Sequence, residues 1–178
     1  MNLEKTFMVA QPEAVVEERA RNFLSAAGYQ AVSLSPVRYK RGTLFGSLAS
    51  ISPKKWQAQA SVEVTPSGGN QAMVALKIDV NTKGHIITQK EVAYWETEVE
   101  SFGRAVSAGE VNPDGLDEAV GAVTKSVWKG FLVFVLVGLG VGAPIGLLMS
   151  RINRSFSVVG IVIGICAGLI AARKHWGY

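Results

Sequence analysis

Apolar residues follow two rules along this chain, and the rule changes near residue 111. Upstream they alternate with polar residues or recur at helical spacing, while downstream they run together. Lys5 to Ala10 has the makeup of a short strand, closed by Gln11-Pro12. Pro12 suits the first position of a helix, where its missing N–H costs nothing. From Glu13 to Ala27, Val15, Val16, Ala20, Phe23, Leu24 and Ala27 form one helical stripe. Acids sit in its first turns, where the dipole favours them, and Gly28 supplies the stop.

Gln30 to Tyr39 reads as a strand interrupted at Pro36, hence an edge or a bulged strand, Arg41-Gly42 as a turn, and Leu44 to Ile51 as a weaker strand loosened by Gly46. The pattern leaves open whether residues 30 to 51 make one strand or two. After a turn at Ser52 to Lys55, Trp56, Ala58, Ala60, Val62 and Val64 alternate with Gln57, Gln59, Ser61 and Glu63. Ala72, Val74, Leu76, Ile78 and Val80 alternate in the same way with Met73, Ala75, Lys77 and Asp79. Period two predicts strands with one buried and one wet face, joined through the Thr65 to Asn70 loop as an antiparallel hairpin. Asn81 to Gly84 closes the sheet, with His85 to Ile87 a short extension. Thr88 with Glu91 then matches a capping box. Val92, Trp95, Val99, Phe102 and Val106 step along one helix face, with Glu96, Glu98 and Glu100 off that seam, until the helix fades near Gly109.

The order β-α-β-β-β-β-α predicts an α+β domain over residues 1–110, with two helices on one face of a small antiparallel sheet. Trp56, Val62, Leu76, Ile78, Phe23, Leu24, Trp95 and Phe102 form its candidate core, and Gln57, Gln59, Glu63, Lys77 and Asp79 its wet face. Over residues 5–110 this order resembles, in layout, small helix-grip and TATA-box-binding-protein-like domains. The helix-grip resemblance implies a lipid or other apolar ligand held between sheet and helix, an inference at the level of fold alone.

Beyond the break at Val111 to Gly115, residues 111–129 read as a linker and a juxtamembrane helix that runs into the first of two uncharged runs. Counted from Gly130 to Met149 the first has 20 residues, about 30 Å of helix; counted from Ser155 to Ala172 the second has 18, about 27 Å. Both lengths fall in the membrane-spanning range, so residues 130–172 are predicted to form a transmembrane helical hairpin, with 173–178 a basic and aromatic tail. Gly138, Gly142 and Gly146 share one face of the first helix, and Gly160, Gly164 and Gly168 one face of the second. Lipid offers no hydrophobic drive between helices, so small residues that let backbones approach supply the contact. These six glycines are the candidate packing faces, for each other or for a further membrane protein or second copy.

Gly138 to Gly142 is similar to the glycine-rich helix of rotary ATPase proteolipids. Neither run holds the Asp or Glu on which an ion would ride, which excludes proton carriage by the hairpin alone. Pro144 is expected to bend the first span, and Cys166, the single cysteine, to act as a small apolar packing residue.

Charge sharpens the picture. Residues 1–110 hold 12 Lys/Arg against 11 Asp/Glu; residues 111–178 hold 6 against 3. The basic excess therefore lies with the apolar segment, which argues against nucleic acid and for attraction to anionic lipid headgroups. Lys125, Trp128 and Lys129 precede the first span; Arg173, Lys174 and Trp176 follow the second, with His175 and Tyr178 beside them. A hairpin brings these to one interface with four Lys/Arg, against two, Arg151 and Arg154, in the connecting loop. The positive-inside rule then places the domain and both termini in the cytoplasm, in keeping with an N-terminus that has no signal-peptide core.

Within the domain, Arg38, Lys40, Arg41, Lys54 and Lys55 form a basic corner, a candidate patch for a partner or a headgroup. Catalysis has little footing: His85 is the domain's one histidine, Ser101 and Ser107 have no partner motif, and no spacing suits a metal or a phosphate loop. The expectation is a two-pass, non-enzymatic module without cofactors that binds a partner or serves as a small subunit of a membrane complex. The alternative is a binder of lipid or another apolar ligand.

Overall fold

The computed structural model describes residues 1–34, 37–50, 52–83, 87–110, 114–150 and 157–176. The chain separates into two compact units, Met1–Ile87 with Glu91–Gly121 and Thr88–Lys90 with Ala122–Tyr178.

The first unit is α+β. Its elements run β1 (Asn2–Val9), α1 (Glu13–Ala26), β2 (Gln30–Leu34), β3 (Val37–Arg41), α2 (Leu44–Ala49), a one-turn 3-10 helix (Pro53–Lys55), β4 (Ala58–Pro66), β5 (Ala72–Val80) and α3 (Gln89–Ala108), followed by the start of α4 (Asp114–Ser150). The five strands form one antiparallel sheet in the order β1-β5-β4-β3-β2. Three neighbours are sequence-local hairpins or near-hairpins, and β1 reaches the far edge only because α1 carries the chain across before β2 begins.

Register decides which side chains go inside. Val74 faces Phe7 on one side and Val64 on the other, while Ile78 faces Leu3 and Ala60. Tyr39 and Arg41 pair with Ala60 and Ala58, so they share that inward face. Val74, Leu76, Ile78, Ala58 and Ala60 are almost wholly buried, and Gln59, Glu63, Lys77 and Asp79 on the opposite face are exposed. Small alanines on β4 leave room for large rings from the helices. Phe102 of α3 meets Phe23 of α1 edge-on at 5.6 Å and Phe7 of β1 at 5.9 Å. Gly103 is forced by the same contact, since a Cβ there would collide with the Phe7 ring. Trp56 is fully buried and its indole N–H donates to the Ser50 carbonyl at 2.9 Å.

Several expectations need correcting. Pro12 is the N-cap of α1, one residue before the helix, with an extended backbone. Residues 30–41 are two strands that pair with each other, with Leu34 opposite Val37 and a register shift between Ala31 and Ser33. Ser35 and Pro36 lie outside the described residues. Leu44 to Ile51 was expected as a strand, but Leu44–Ala49 is helical. The Thr43 side-chain oxygen accepts the Gly46 N–H at 2.9 Å, an N-cap that local apolar content does not reveal. The expected His85 extension lies outside the described residues.

α3 begins directly after Thr88 and stops at Gly109, whose φ of +77° is the left-handed exit that glycine adopts freely. Arg19 of α1 donates to the Val106 and Ser107 carbonyls at 3.1 and 2.9 Å, satisfying two orphan acceptors at the C-terminus of α3.

The second unit is built of helices. α4 continues unbroken to Ser150 with Pro144 inside it, and α5 spans Ser157–Trp176. Within α4, Leu116–Leu148 is long and apolar enough to cross a membrane, and an 18-residue window of it reaches a mean hydropathy of 2.5. The apolar stretch of α5, Gly160–Arg173, is shorter, so among the described residues one helix rather than the expected two meets that measure.

Candidate functional site

The most heavily constrained place in the first unit is the inner end of β3. Arg41 lies on a strand whose alternate residues face in, and it is 5% exposed. One guanidinium nitrogen, Nη2, donates to Glu98 Oε2 at 2.9 Å; the other, Nη1, donates to the Ala27 carbonyl at 3.0 Å. The Tyr29 hydroxyl donates to the second Glu98 oxygen at 2.7 Å. The guanidinium carbon stacks 4.4 Å from the Tyr29 ring centre and 5.0 Å from that of Trp95. Arg41 thus ties the end of α1, the sheet and α3 together through one buried ion pair.

Electrostatics follow from that enclosure. Burial alone would lower the Arg41 pKa, but the adjoining Glu98 carboxylate outweighs it and the value is raised. Burial first, and then the Glu98 charge, push the Tyr29 and Tyr94 hydroxyls well above the ordinary tyrosine range. Three buried donors have no acceptor among the described residues: Arg41 Nε, Tyr94 Oη and Trp95 Nε1. Trp95 carries the first of these stacked on its ring and lies edge-on to the second at 5.2 Å.

A cleft of about 500 Å³ borders this cluster. Its walls are the end of α1 at Gly28, the Arg41-Gly42-Thr43 turn, Gly46 and the Lys54-Lys55 pair. The turn packs hard against the 3-10 segment: a Cβ on Gly42 would enter the Trp56 carbonyl, and one on Gly46 the Lys55 carbonyl. That contact, with the Gln57 N–H donating to Ser47 Oγ at 2.6 Å, places two lysines beside the buried arginine. Lys54 pairs with Asp117 at the start of α4; Lys55 is exposed.

The basic corner expected from sequence therefore divides. Arg41, Lys54 and Lys55 meet at the cleft, with Arg41 as a buried wall rather than a surface charge. Arg38 and Lys40 alternate outward to the opposite, wet face of the sheet, where Arg38 borders a recess with Lys77 and Asp79. Glu98, expected off the α3 seam, is 1% exposed and at its centre. A signal for both was available. Arg41 has the parity of Val37 and Tyr39, and Glu98 falls three residues after Trp95 and four before Phe102.

In the second unit the glycines face one another across α4 and α5. A Cβ on Gly142 would stand 2.7 Å from the Gly160 carbonyl oxygen and 2.9 Å from the Gly164 Cα, and a Cβ on Gly160 would overlap Gly146. Gly138 lies against Gly164, and Gly168 against Phe134. Gly140, outside this set, has open space around it. The same register carries Lys129 level with Arg173, both exposed. Trp128 is 55% exposed and stacks edge-on with Phe131 at 5.8 Å; Lys125 is exposed. The side chains of Lys174 and Trp176 lie outside the described residues. An apolar groove of about 660 Å³ runs along the pair past Phe134, Gly138, Gly142, Ile161 and Gly164.

No family model matches this chain, and no curated protein or solved structure shows significant similarity to it.

Proposed function

We propose that this chain is a membrane-anchored binding module, an α+β domain held at a membrane surface by a two-pass helical hairpin and acting by docking rather than by catalysis. The observation that carries the reading is the exposure of apolar side chains on both terminal helices. Leu136, Leu139, Leu147 and Leu148 on α4, and Ile161 and Ile170 on α5, are each more than 60% exposed. In water such a surface is a liability far beyond the few hundred square ångströms a soluble monomer presents. In a bilayer it is the solvated surface.

The second pass is supported by the glycine contacts, which fold α5 back along α4 as a glycine zipper. Its apolar stretch is short, but α5 continues as helix to Trp176, and basic residues at a helix end reach the interface with long side chains. Lys129 level with Arg173 supports one basic interface, and by the positive-inside rule that interface and the domain are cytoplasmic. The rings of Trp95, Phe102 and Phe23 fill the sheet-to-helix space, which favours docking over an apolar ligand in the domain.

Alkaline extraction of membranes should leave the chain in the pellet, and gentle purification should bring a stoichiometric protein partner with it. Release into the supernatant would end the anchored reading; a lone monomer in every mild detergent would end the docking one. A single cysteine in the 150–155 loop, with Cys166 replaced by Ser, should react with an impermeant maleimide only from outside the cell. Reaction from the cytoplasmic side alone would reverse the topology.

A further inference from the structure

The cleft beside Arg41 has a lining that asks for a particular chemistry. Among the described residues, every charged side chain in its wall, Arg41, Lys54 and Lys55, is a cation, and neither Glu98 nor Asp117, their partners, lines it. Arg41 uses two nitrogens on Ala27 and Glu98, yet its Nε–H is buried without an acceptor. Tyr94 and Trp95 pack about the same guanidinium behind the cleft wall and do not line the cleft. A buried polar group left unpaired costs about 1–3 kcal/mol, so the Arg41 Nε–H marks a wall short of an acceptor. The Thr43 oxygen accepts from Gly46, which leaves its own proton to donate. Gly28 and Gly42, at φ +85° and +69°, present bare backbone along the wall.

We propose that this cleft binds a phosphate-bearing anion, with Lys54 and Lys55 at its mouth and Arg41 as the fixed cation in its wall. A phosphate group is an acceptor on several oxygens at once and carries charge. It therefore matches the cationic lining of Arg41, Lys54 and Lys55 and can accept from Thr43 as well, where a neutral ligand leaves the charge unanswered. The same chemistry arrives on a soluble phosphate or on a lipid headgroup, and the volume of about 500 Å³ admits either. The inference stands apart from membrane anchoring, on which alkaline extraction reports separately.

The test uses the full chain in mild detergent. Inorganic phosphate is titrated by calorimetry in lipid-free micelles, and native mass spectrometry compares micelles doped with phosphatidic acid or with phosphatidylcholine. Lys55→Gln removes an exposed lysine and should weaken binding about fivefold, the effect of one basic residue at about 1 kcal/mol. Lys54→Gln with Lys55→Gln should reach roughly 25-fold if the two add. Arg38→Gln with Lys40→Gln, which removes the same charge from the opposite sheet face, should change it by less than about twofold. Binding of inorganic phosphate that follows this pattern assigns a soluble phosphate. Retention of phosphatidic acid alone, with the same pattern, assigns a headgroup. Binding in neither arm, or binding that ignores both lysines or falls equally with Arg38 and Lys40, overturns the proposal and leaves the cleft to water.

Discussion

Arg41 and Glu98 lie 57 positions apart in the chain and meet at 2.9 Å with side chains only 4% and 1% exposed. Such a pair need not add stability over an apolar one, but breaking it strands a charge in the core. Glu98→Ala should therefore cost about 3–5 kcal/mol in denaturant unfolding of the full chain in detergent. Arg41→Met with Glu98→Leu should recover most of that loss. A Glu98→Ala protein of near-parental stability would mean that water reaches the site.

Gly42 combines a left-handed backbone with a blocked Cβ, which would enter the Trp56 carbonyl. Gly42→Ala should cost more than the roughly 1–3 kcal/mol of backbone strain alone, because the 3-10 segment must also move. Gly68, at φ +89° with nothing within 4 Å, isolates the strain. Gly68→Ala should cost about 1 kcal/mol. Equal losses in the two variants would show that the turn does not press on the 3-10 segment.

Between the terminal helices, Gly142→Leu and Gly160→Leu should force the backbones apart, while Gly140→Leu, which points into open space, should not. Disulfide trapping between cysteines placed on facing turns of α4 and α5 reads this directly. Trapping that survives Gly142→Leu and Gly160→Leu would show that the pair is held by something other than close glycine contact.

Alkaline pH should unfold the first unit in a defined window. Tyr29 and Tyr94 have folded-state pKa values raised by burial and by the Glu98 charge, so the folded state holds their protons longer than the unfolded chain does. Their contribution is complete below the unfolded tyrosine pKa of about 10 and is lost as pH rises beyond it. Stability should be flat to about pH 9 and then fall, with tyrosinate absorbance from these two appearing only on unfolding. Tyr29→Phe with Tyr94→Phe should flatten the fall. Gradual ionisation of both in the folded protein would contradict their enclosure.

Much of this architecture was legible in the residue pattern. β5 occupies the alternating stretch Ala72 to Val80, and α1 begins and ends within a residue of its stripe. These are local statements: a side chain on a strand or helix repeats its environment every two or 3.6 residues, and the residue types must comply. Leu44 to Ala49 misled because a single capping hydroxyl, not apolar spacing, decides for helix there.

Outside residues 30–51, the chain by itself determined where structure is strand, helix or apolar run, and which faces are greasy, because those properties are set by neighbours a few residues away. It could not determine that Arg41 turns inward to Glu98, since a charged residue defaults to water until a distant partner is brought to it. Tertiary structure alone decided that pairing and the division of the basic corner between two sheet faces. It also decided which glycines press on a neighbouring backbone and which, like Gly140, touch nothing. Each of these is a relation between segments far apart in sequence, and it exists only once the register of strands and helices is set.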